Sequence, residues 1–375
     1  MFIKSLTIKN LKCFGNNDNF IKFKIPKKEI SGSGLNILVG KNNSGKSTIL
    51  EAIKYAKNYK SQQVDEEIIN SKSRNNKNDL EIKILSSKNK ILKFKSCLYQ
   101  SDYRKHNFES EKEEFAPNLY HSNTNRYIKK KDSFSNLASR QNEGRTEEKL
   151  EKRDVYWMIQ EIEIASDNQR KEFDKIISDY FSDILRIQIG SRSREDSCRI
   201  FCEMKSGDSV DLQDMGSGIE QLIILIWIIK YGSKGEIILI DEPELSLHPQ
   251  AQKNFLDFLK EESRIKQIFI STHSPYFIDV NIIQNVLRFE NNNLKKGARS
   301  FRIKKKKFVD KIKENRNFFF HHRTLFFTDV AIFMEGAEDY DRYSKFCENN
   351  GFSNLIDSFY MMNGCDPTLF FEEFC

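Results

Sequence analysis

Several short stretches of the chain are apolar at nearly every position and then stop abruptly at glycine or at polar and charged residues. Leu35, Ile37, Leu38 and Val39 run into Gly40, and Ile237, Ile238, Leu239 and Ile240 run into Asp241 and Glu242. Gln267, Ile268, Phe269, Ile270 and Ser271 run into Thr272 and His273, while Ala331, Ile332, Phe333 and Met334 run into Glu335 and Gly336. Runs of this length predict buried strands, and the second, apolar on both faces, suits a central strand of a parallel sheet. In such sheets ligands gather at the carboxyl ends of the strands.

Helical readings fall between these strands. Residues 47–55 read as a helix directly after the first strand, and 222–229 as a core helix, far too short to span a bilayer. A helix carrying Tyr340, Tyr343 and Phe346 follows Glu335, and a second strand is expected at 359–362. From about 61 to 154 the pattern fades into Lys, Asn, Glu and Ser, with brief strand-like runs at 80–85 and 90–98. Residues 110–150 are charged and weakly periodic, which predicts a mobile insertion or a helical arm with a solvated face. No internal repeat is present.

The polar stops carry the chemistry. Gly40-Lys41-Asn42-Asn43-Ser44-Gly45-Lys46-Ser47-Thr48 fits G-x-x-x-x-G-K-[ST], in which backbone N–H groups close round phosphate oxygens and a lysine reaches the β and γ phosphates. Its strand-loop-helix setting points a helix N-terminus at the anion. ATP is therefore the expected ligand of Gly40, Asn42, Asn43, Ser44, Gly45, Lys46, Ser47 and Thr48. At the second strand end Asp241 is expected to hold Mg²⁺ together with Ser47, since a hard cation on phosphates takes oxygen ligands. Glu242, one residue further, is then free to deprotonate the attacking water. His273, at the third strand end, can donate to the γ phosphate or to that water, although a lone histidine after a strand is more often a structural hydrogen-bonding residue. Gly216, Ser217 and Gly218 precede the apolar helix. They predict a capping box, Ser217 with Glu220, and a second anion site at the helix N-terminus.

The order of loop, Gly216-Ser217-Gly218 helix, Asp241-Glu242-Pro243, Leu245-Ser246-Leu247-His248-Pro249 and Ser271-Thr272-His273 resembles the ATP-binding-cassette class of ATPases, in the soluble branch with SMC and RecF-type proteins. The resemblance covers residues 1–300. The opening Phe2-Ile3-Lys4-Ser5-Leu6-Thr7-Ile8-Lys9-Asn10-Leu11-Lys12-Cys13-Phe14 is also similar to that branch, where a first strand leads to a nucleotide-contacting arm. It implies that Gly216, Ser217 and Gly218 are the signature closing over ATP held by a second subunit, and that 244–249 form the loop communicating between the two sites. ATP would then join a homodimer or a higher homo-oligomer through composite sites. The signature departs from the usual Leu-Ser-Gly-Gly-Gln.

The strand ending in Glu335-Gly336 and its helix look like the first motif of a Toprim nuclease fold, placed as in the OLD (overcoming lysogenization defect) family, where an ATPase precedes a Toprim domain. Arg323-Thr324-Leu325-Phe326-Phe327-Thr328-Asp329 is similar to the joint in that family. The resemblance implies Glu335 as a metal-linked residue or acid/base, working with a later Asp-x-Asp pair. Asp339-Tyr340-Asp341 has those letters but falls in the expected helix, where residues two apart face different ways. A Toprim-like segment of 329–375 is partial, below the roughly 60 residues that are already marginal alone. It is expected to be truncated or packed on something else, the bland alternative being a strand-turn-helix that closes the ATPase.

Composition changes little in this picture. The 375 residues carry a formal net charge of +7, which permits nucleic-acid binding without requiring it. Lys129-Lys130-Lys131 lies in the insertion and Lys304-Lys305-Lys306-Lys307 in a basic and aromatic linker at 301–328, where it could grip phosphates. A Lys/Asn-heavy composition gives lysine-rich surface in any case. The seven cysteines show no zinc spacing, which with the absence of a signal peptide or a spanning stretch predicts reduced thiols in a cytoplasmic protein with no membrane partner. The expected fold is thus an α/β ABC-type P-loop NTPase with a mixed N-terminal sheet and a helical, charged insertion, followed by a partial Toprim-like segment. The expected function is ATP hydrolysis in an OLD-type DNA-processing system of phage defence, with DNA and a separate nuclease or effector protein as partners. The alternative is a RecF-like nucleotide-gated clamp on DNA or protein, without nuclease activity.

Overall fold

The computed structural model describes residues 1–15, 17–58, 80–99, 103–111, 119–122, 162, 165–191, 198–231, 236–291, 297–302, 310, 323–328 and 331–362. Strand β1 (Ile3–Lys9) pairs antiparallel with β2 (Asn19–Lys22). Next come β3 (Leu35–Gly40) and, across the phosphate-binding loop, helix α1 (Lys46–Asn58). β4 (Leu80–Ser86), β5 (Ile91–Tyr99) and β6 (Tyr103–Glu111) extend β1 into an antiparallel sheet of order β2-β1-β4-β5-β6. After β7 (Leu119–Ser122), helix α2 (Asp167–Tyr180) starts at a capping box in which Ser166 and Gln169 exchange hydrogen bonds. β8 (Ile184–Ser191), β9 (Cys198–Met204) and β10 (Ser209–Asp211) make a small antiparallel sheet.

Helix α3 (Ser217–Tyr231) then enters the core. It is followed by β11 (Ile237–Asp241), α4 (Pro249–Glu262), β12 (Gln267–Thr272), β13 (Val286–Glu290) and β14 (Arg299–Phe301). These strands complete the central sheet, of order β14-β13-β3-β12-β11-β7. It is parallel from β13 to β7, with β14 antiparallel at one edge.

The central strands read as unbroken apolar runs because both of their faces are covered. Leu35, Ile37, Val39, Ile238, Ile240, Ile268 and Ile270 pack with α2, α3 and α4 in one core. Leu38, Ile237, Leu239 and Phe269 point the other way, into a second core shared with α1 and with Ile3, Leu6 and Ile8 of β1. The period of two is present, but it sorts residues between two interiors rather than between core and water. α3, apolar nearly all round, is correspondingly buried along most of its length.

The stretch expected to be an insertion, about 61–154, supplies β4, β5 and β6 to the antiparallel sheet and β7 to the edge of the central one. β4 and β5 fall on the strand-like runs at 80–85 and 90–98; the runs are brief because that sheet buries one face only. Leu80, Ile82 and Ile84 are buried while Lys83 points out, so half of the positions are free to be charged. The expected arm at 110–150 and Lys129-Lys130-Lys131 lie outside the described residues, apart from 110–111 and 119–122.

At the C-terminal end, β15 (Ile332–Met334), α5 (Ala337–Asn349) and β16 (Phe359–Met361) form a unit in which the two strands pair in parallel. The strand-helix-strand order expected there is present. This unit is built into the body of the protein: Tyr360 and Met362 belong to the first core, beside Leu325 and Phe326. Arg288 of β13 donates to the carbonyl of Thr328 at 2.8 Å. Among the described residues no helix is long and apolar enough to cross a membrane.

One side chain joins the two main sheets. Gln267, fully buried at the start of β12, accepts from the N–H of Ile3 at 2.7 Å, and its amide donates to the carbonyls of Ile3 and Lys24 at 2.7 and 2.9 Å. Gln267→Leu strands the N–H and the carbonyl of Ile3 in the interior, at about 1–3 kcal/mol for each one left unsatisfied, while the Lys24 carbonyl keeps the Asn36 amide as a donor. Urea denaturation should show a stability loss of about 2–4 kcal/mol; a loss below about 0.5 kcal/mol would mean that the sheets are held together by apolar packing alone.

Candidate functional site

The carboxyl ends of β3, β11 and β12 lie side by side because the strands pair in register, Val39 opposite Thr272 and Ser271 opposite Asp241. The phosphate-binding loop leaves β3 through Gly40, whose φ of 143° is one that residues with a side chain rarely adopt. A Cβ there would also sit 2.3 Å from the carbonyl oxygen of Phe289. Asn43 takes φ 60° at the turn, and its carbonyl accepts from the Asn291 amide at 3.1 Å. Asn42 and Ser47 are exposed, whereas Ser44, Gly45, Lys46 and Thr48 are buried.

Lys46 occupies the middle of this loop. Its Nζ donates to the carbonyls of Gly40 and Lys41, both at 2.9 Å. Burial pulls its pKa down to about 8, against the opposing pull of Glu242, Asp241 and Glu244. Ser44 Oγ is buried without a hydrogen-bond partner. A buried ammonium, an unpartnered hydroxyl and the start of α1 make a donor set that suits the oxygens of a bound phosphate chain.

Opposite the loop, Ser47 Oγ donates to Asp241 Oδ1 at 3.4 Å, and Ser271 Oγ donates to the same oxygen. A serine hydroxyl and a carboxylate facing each other at the loop mouth are oxygen donors of the kind Mg²⁺ takes. Glu242 sits just beyond with φ 47°, a left-handed conformation uncommon for a non-glycine residue. Its N–H is tied to the carbonyl of Ser271 at 2.9 Å. His273 Nε2 lies 3.9 Å from Glu242 Oε1. Burial, and then the charge of Lys46, hold His273 below the ordinary histidine pKa despite Asp241, so its imidazole is neutral near pH 7.

The structure therefore brings Lys46, Ser47, Asp241, Glu242 and His273 to one edge of the sheet. Gly216, Ser217 and Gly218 stand apart from it at the start of α3. The atoms nearest to the position of a Gly218 Cβ all belong to Ser246, the carbonyl oxygen at 2.1 Å. The expected capping box is not the arrangement found: α3 begins at Ser217, which puts that serine inside the first turn, and the turn into the helix is made by Gly216 at φ 91°. Glu335 is exposed just after β15. Among the described residues no group of three His, Cys, Asp or Glu side chains is arranged for a metal. Cys13, Cys202 and Cys347 are free thiols.

Two residues of the site escaped the sequence reading. Ser271 holds Asp241 through strand register, which no local pattern announces. Glu244 is half-buried, its Oε1 accepting from the N–H of His273 at 2.6 Å and its buried Oε2 without a partner. Burial raises its pKa, against hydrogen bonds that favour the anion. The resemblance placed Glu244 in the communicating loop 244–249, but nothing local gave it a bond to the main chain of His273.

The sequence profile of the family described as "AAA domain, putative AbiEii toxin, Type IV TA system" matches residues 35–279. An uncharacterized protein of Methanocaldococcus jannaschii is 36% identical over 81 residues, 21% of this chain and 10% of that protein. The OLD nuclease of Thermus scotoductus is 38% identical over 95 residues, 24% of this chain and 17% of that protein. The chain thus spans well under a fifth of these two relatives. A crystal structure of an SMC head bound to the C-winged helix domain of ScpA superposes with a TM-score of 0.51 over 83% of this chain and 100% of its own, at 16% identity. That likeness reports the fold alone, the mixed α/β fold of an SMC head.

The raised pKa of Glu244 has a signed consequence. A carboxyl whose folded pKa lies above the unfolded value of 4.5 costs nothing below that value, and weakens the fold as pH rises through the folded pKa. Glu244→Gln keeps an acceptor for His273 and removes the titration. Its melting temperature relative to the parent chain should therefore climb as pH rises from about 4.5 toward 8; a difference that stays flat with pH would show that this carboxyl titrates normally.

Proposed function

Since the chain belongs to this AAA-domain family, we propose that it is the ATP-hydrolysing component of an OLD-type DNA-processing system, acting in defence against phage. In this reading ATP closes two copies on each other, and the closure regulates a DNA nuclease activity. The observation that carries the hydrolytic part is the meeting of Lys46, Ser47, Asp241, Glu242 and His273 at the ends of three adjacent parallel strands, with Ser47 Oγ 3.4 Å from Asp241 Oδ1 and His273 Nε2 3.9 Å from Glu242 Oε1.

Each residue has a role that its surroundings favour. Lys46 exchanges the carbonyls of Gly40 and Lys41 for phosphate oxygens, whose negative charge pulls its pKa back up. The loop N–H groups and the hydroxyls of Ser44 and Thr48 line the phosphate chain. Ser47 and Asp241 hold Mg²⁺, which when bound neutralises charge on the phosphates. Glu242 accepts a proton from the attacking water, the general-base role. Neutral His273 keeps an N–H to donate toward the γ phosphate. Gly216, Ser217 and Gly218, exposed or packed on the 244–249 loop rather than on their own phosphate loop, are suited to cover ATP held by a second copy.

The nuclease part rests on less. The local 38% identity to the OLD nuclease and the parallel β15-α5-β16 unit support a division into an ATPase of 1–300, a linker of 301–328 and the beginning of a Toprim-like segment at 329–375. Glu335 would be its first metal-linked residue, acting on DNA together with an Asp-x-Asp pair from a longer chain or a separate effector protein.

Glu242→Gln should bind ATP normally and lose at least about 100-fold in hydrolysis, the usual contribution of a general base. In Mg-ATP its molar mass by light scattering should double. Hydrolysis at the parent rate would remove Glu242 from the role of base, and a mass indifferent to ATP would remove nucleotide from the control of assembly. Plasmid nicking by the chain alone would show that its Toprim-like segment needs no partner.

A further inference from the structure

Away from the ATP site, Arg302 directly follows β14. Its Nε and Nη2 are both buried, and neither has a hydrogen-bond partner. Guanidinium never gives up its proton in proteins and presents its donors as a fixed fork. A charge so placed, without a partner, costs several kcal/mol. Buried polar groups left over in a native fold ask for an explanation such as a bound ion.

The neighbours of Arg302 make the problem worse rather than better. β14 lies against β2, and just beyond β2 comes Lys24, a half-buried lysine. Burial, then the charges of Arg302 and Lys27, lower the pKa of Lys24. Burial is the cause acting on Arg302; among the described residues no carboxylate offsets the charge of either. Lys24 is also well anchored. Its N–H donates to Asn36 Oδ1 at 2.7 Å, and its carbonyl accepts from the amides of Asn36 and Gln267 at 3.1 and 2.9 Å. Two cations whose charges repel each other, on strands packed side by side and with no acid among the described residues to offset them, are the inverse of a buried salt bridge.

We propose that Arg302 and Lys24, supported by Lys27, form a binding site for a phosphate oxyanion. A phosphate group offers the planar pair of oxygens that a guanidinium fork meets and the charge that both cations lack. The oxyanion comes either from a nucleic-acid backbone or from free phosphate. The first source deepens the DNA reading above and rests on it; the second does not.

The test uses the full chain, with inorganic phosphate and a fluorescently labelled DNA duplex as the two probes. Arg302→Met, which replaces the unpaired charge by an apolar chain, should melt about 2 °C or more above the parent without ligand. It should lose the upward shift that inorganic phosphate gives the parent. Lys24→Gln leaves the main-chain bonds of Lys24 in place and should also lose most of that shift. Both substitutions should leave ATP turnover unchanged, since neither residue touches the phosphate loop or the ends of β11 and β12. If the backbone of DNA is the source, each variant should also lower the slope of log affinity against log salt by about 1. A lost phosphate shift with an unchanged DNA slope assigns the site to free phosphate. An Arg302→Met protein that melts below its parent, together with a phosphate shift that survives in Lys24→Gln, would mean that the guanidinium is satisfied within the fold, and the proposal fails. DNA binding that ignores both substitutions leaves the DNA reading standing and takes this site out of it.

Discussion

The register of β12 between β3 and β11 is the constraint on which the rest depends. Pairing of Thr272 with Val39 on one side and of Ser271 with Asp241 on the other fixes how far each strand projects. It places the phosphate loop, the two acids and His273 at one height. Parallel strands leave little tolerance here, because a slip of one residue exchanges the two interiors that their side chains fill. Ile270 would turn toward α1, and Phe269 would turn toward α3 and α4. The two cores thus act as a double lock on the geometry of the site.

The site itself is a collection of polar groups brought close and left partly unsatisfied. Lys46 is charged and buried among loop carbonyls, Ser44 Oγ has no partner, Glu242 holds a left-handed backbone, and Glu244 keeps one buried oxygen unbonded. None of these helps the fold. Strained and unsatisfied groups gather where a ligand completes the arrangement, and here they gather within one loop and two strand ends. The molecule gives up local stability at the point where it is expected to take up a polyanion.

Much of this was legible in the chain because central strands covered on both faces announce themselves. Leu35 to Gly40, Ile237 to Asp241 and Gln267 to Thr272 carry no polar alternation to dilute the signal, and the chemistry begins where each run ends. β4 and β5 showed only as brief strand-like runs, and β6 and β7 not at all, for the opposite reason: strands with one wet face, such as β4, mix Lys and Glu with Leu and Ile and read as charged linker. The parts of the site that depend on distant pairing were equally invisible. Ser271 is significant only because Asp241 stands beside it, and Glu244 only because the main chain of His273 reaches back to it. At α3 the pattern placed the helix correctly but not its first residue, since Gly216 takes up the turn that a capping serine would have made one position later.

Tyr360 and Met362, from the end of the chain, sit in the same interior as α3 and the central strands. A module that only abuts its neighbour can be exchanged by recombination, lost and regained without harm to either part. One that contributes side chains to its neighbour's interior cannot, because removing it opens a hole in what remains. The ATPase body and this C-terminal unit therefore share one interior, and cutting the unit away would open the wall of the body.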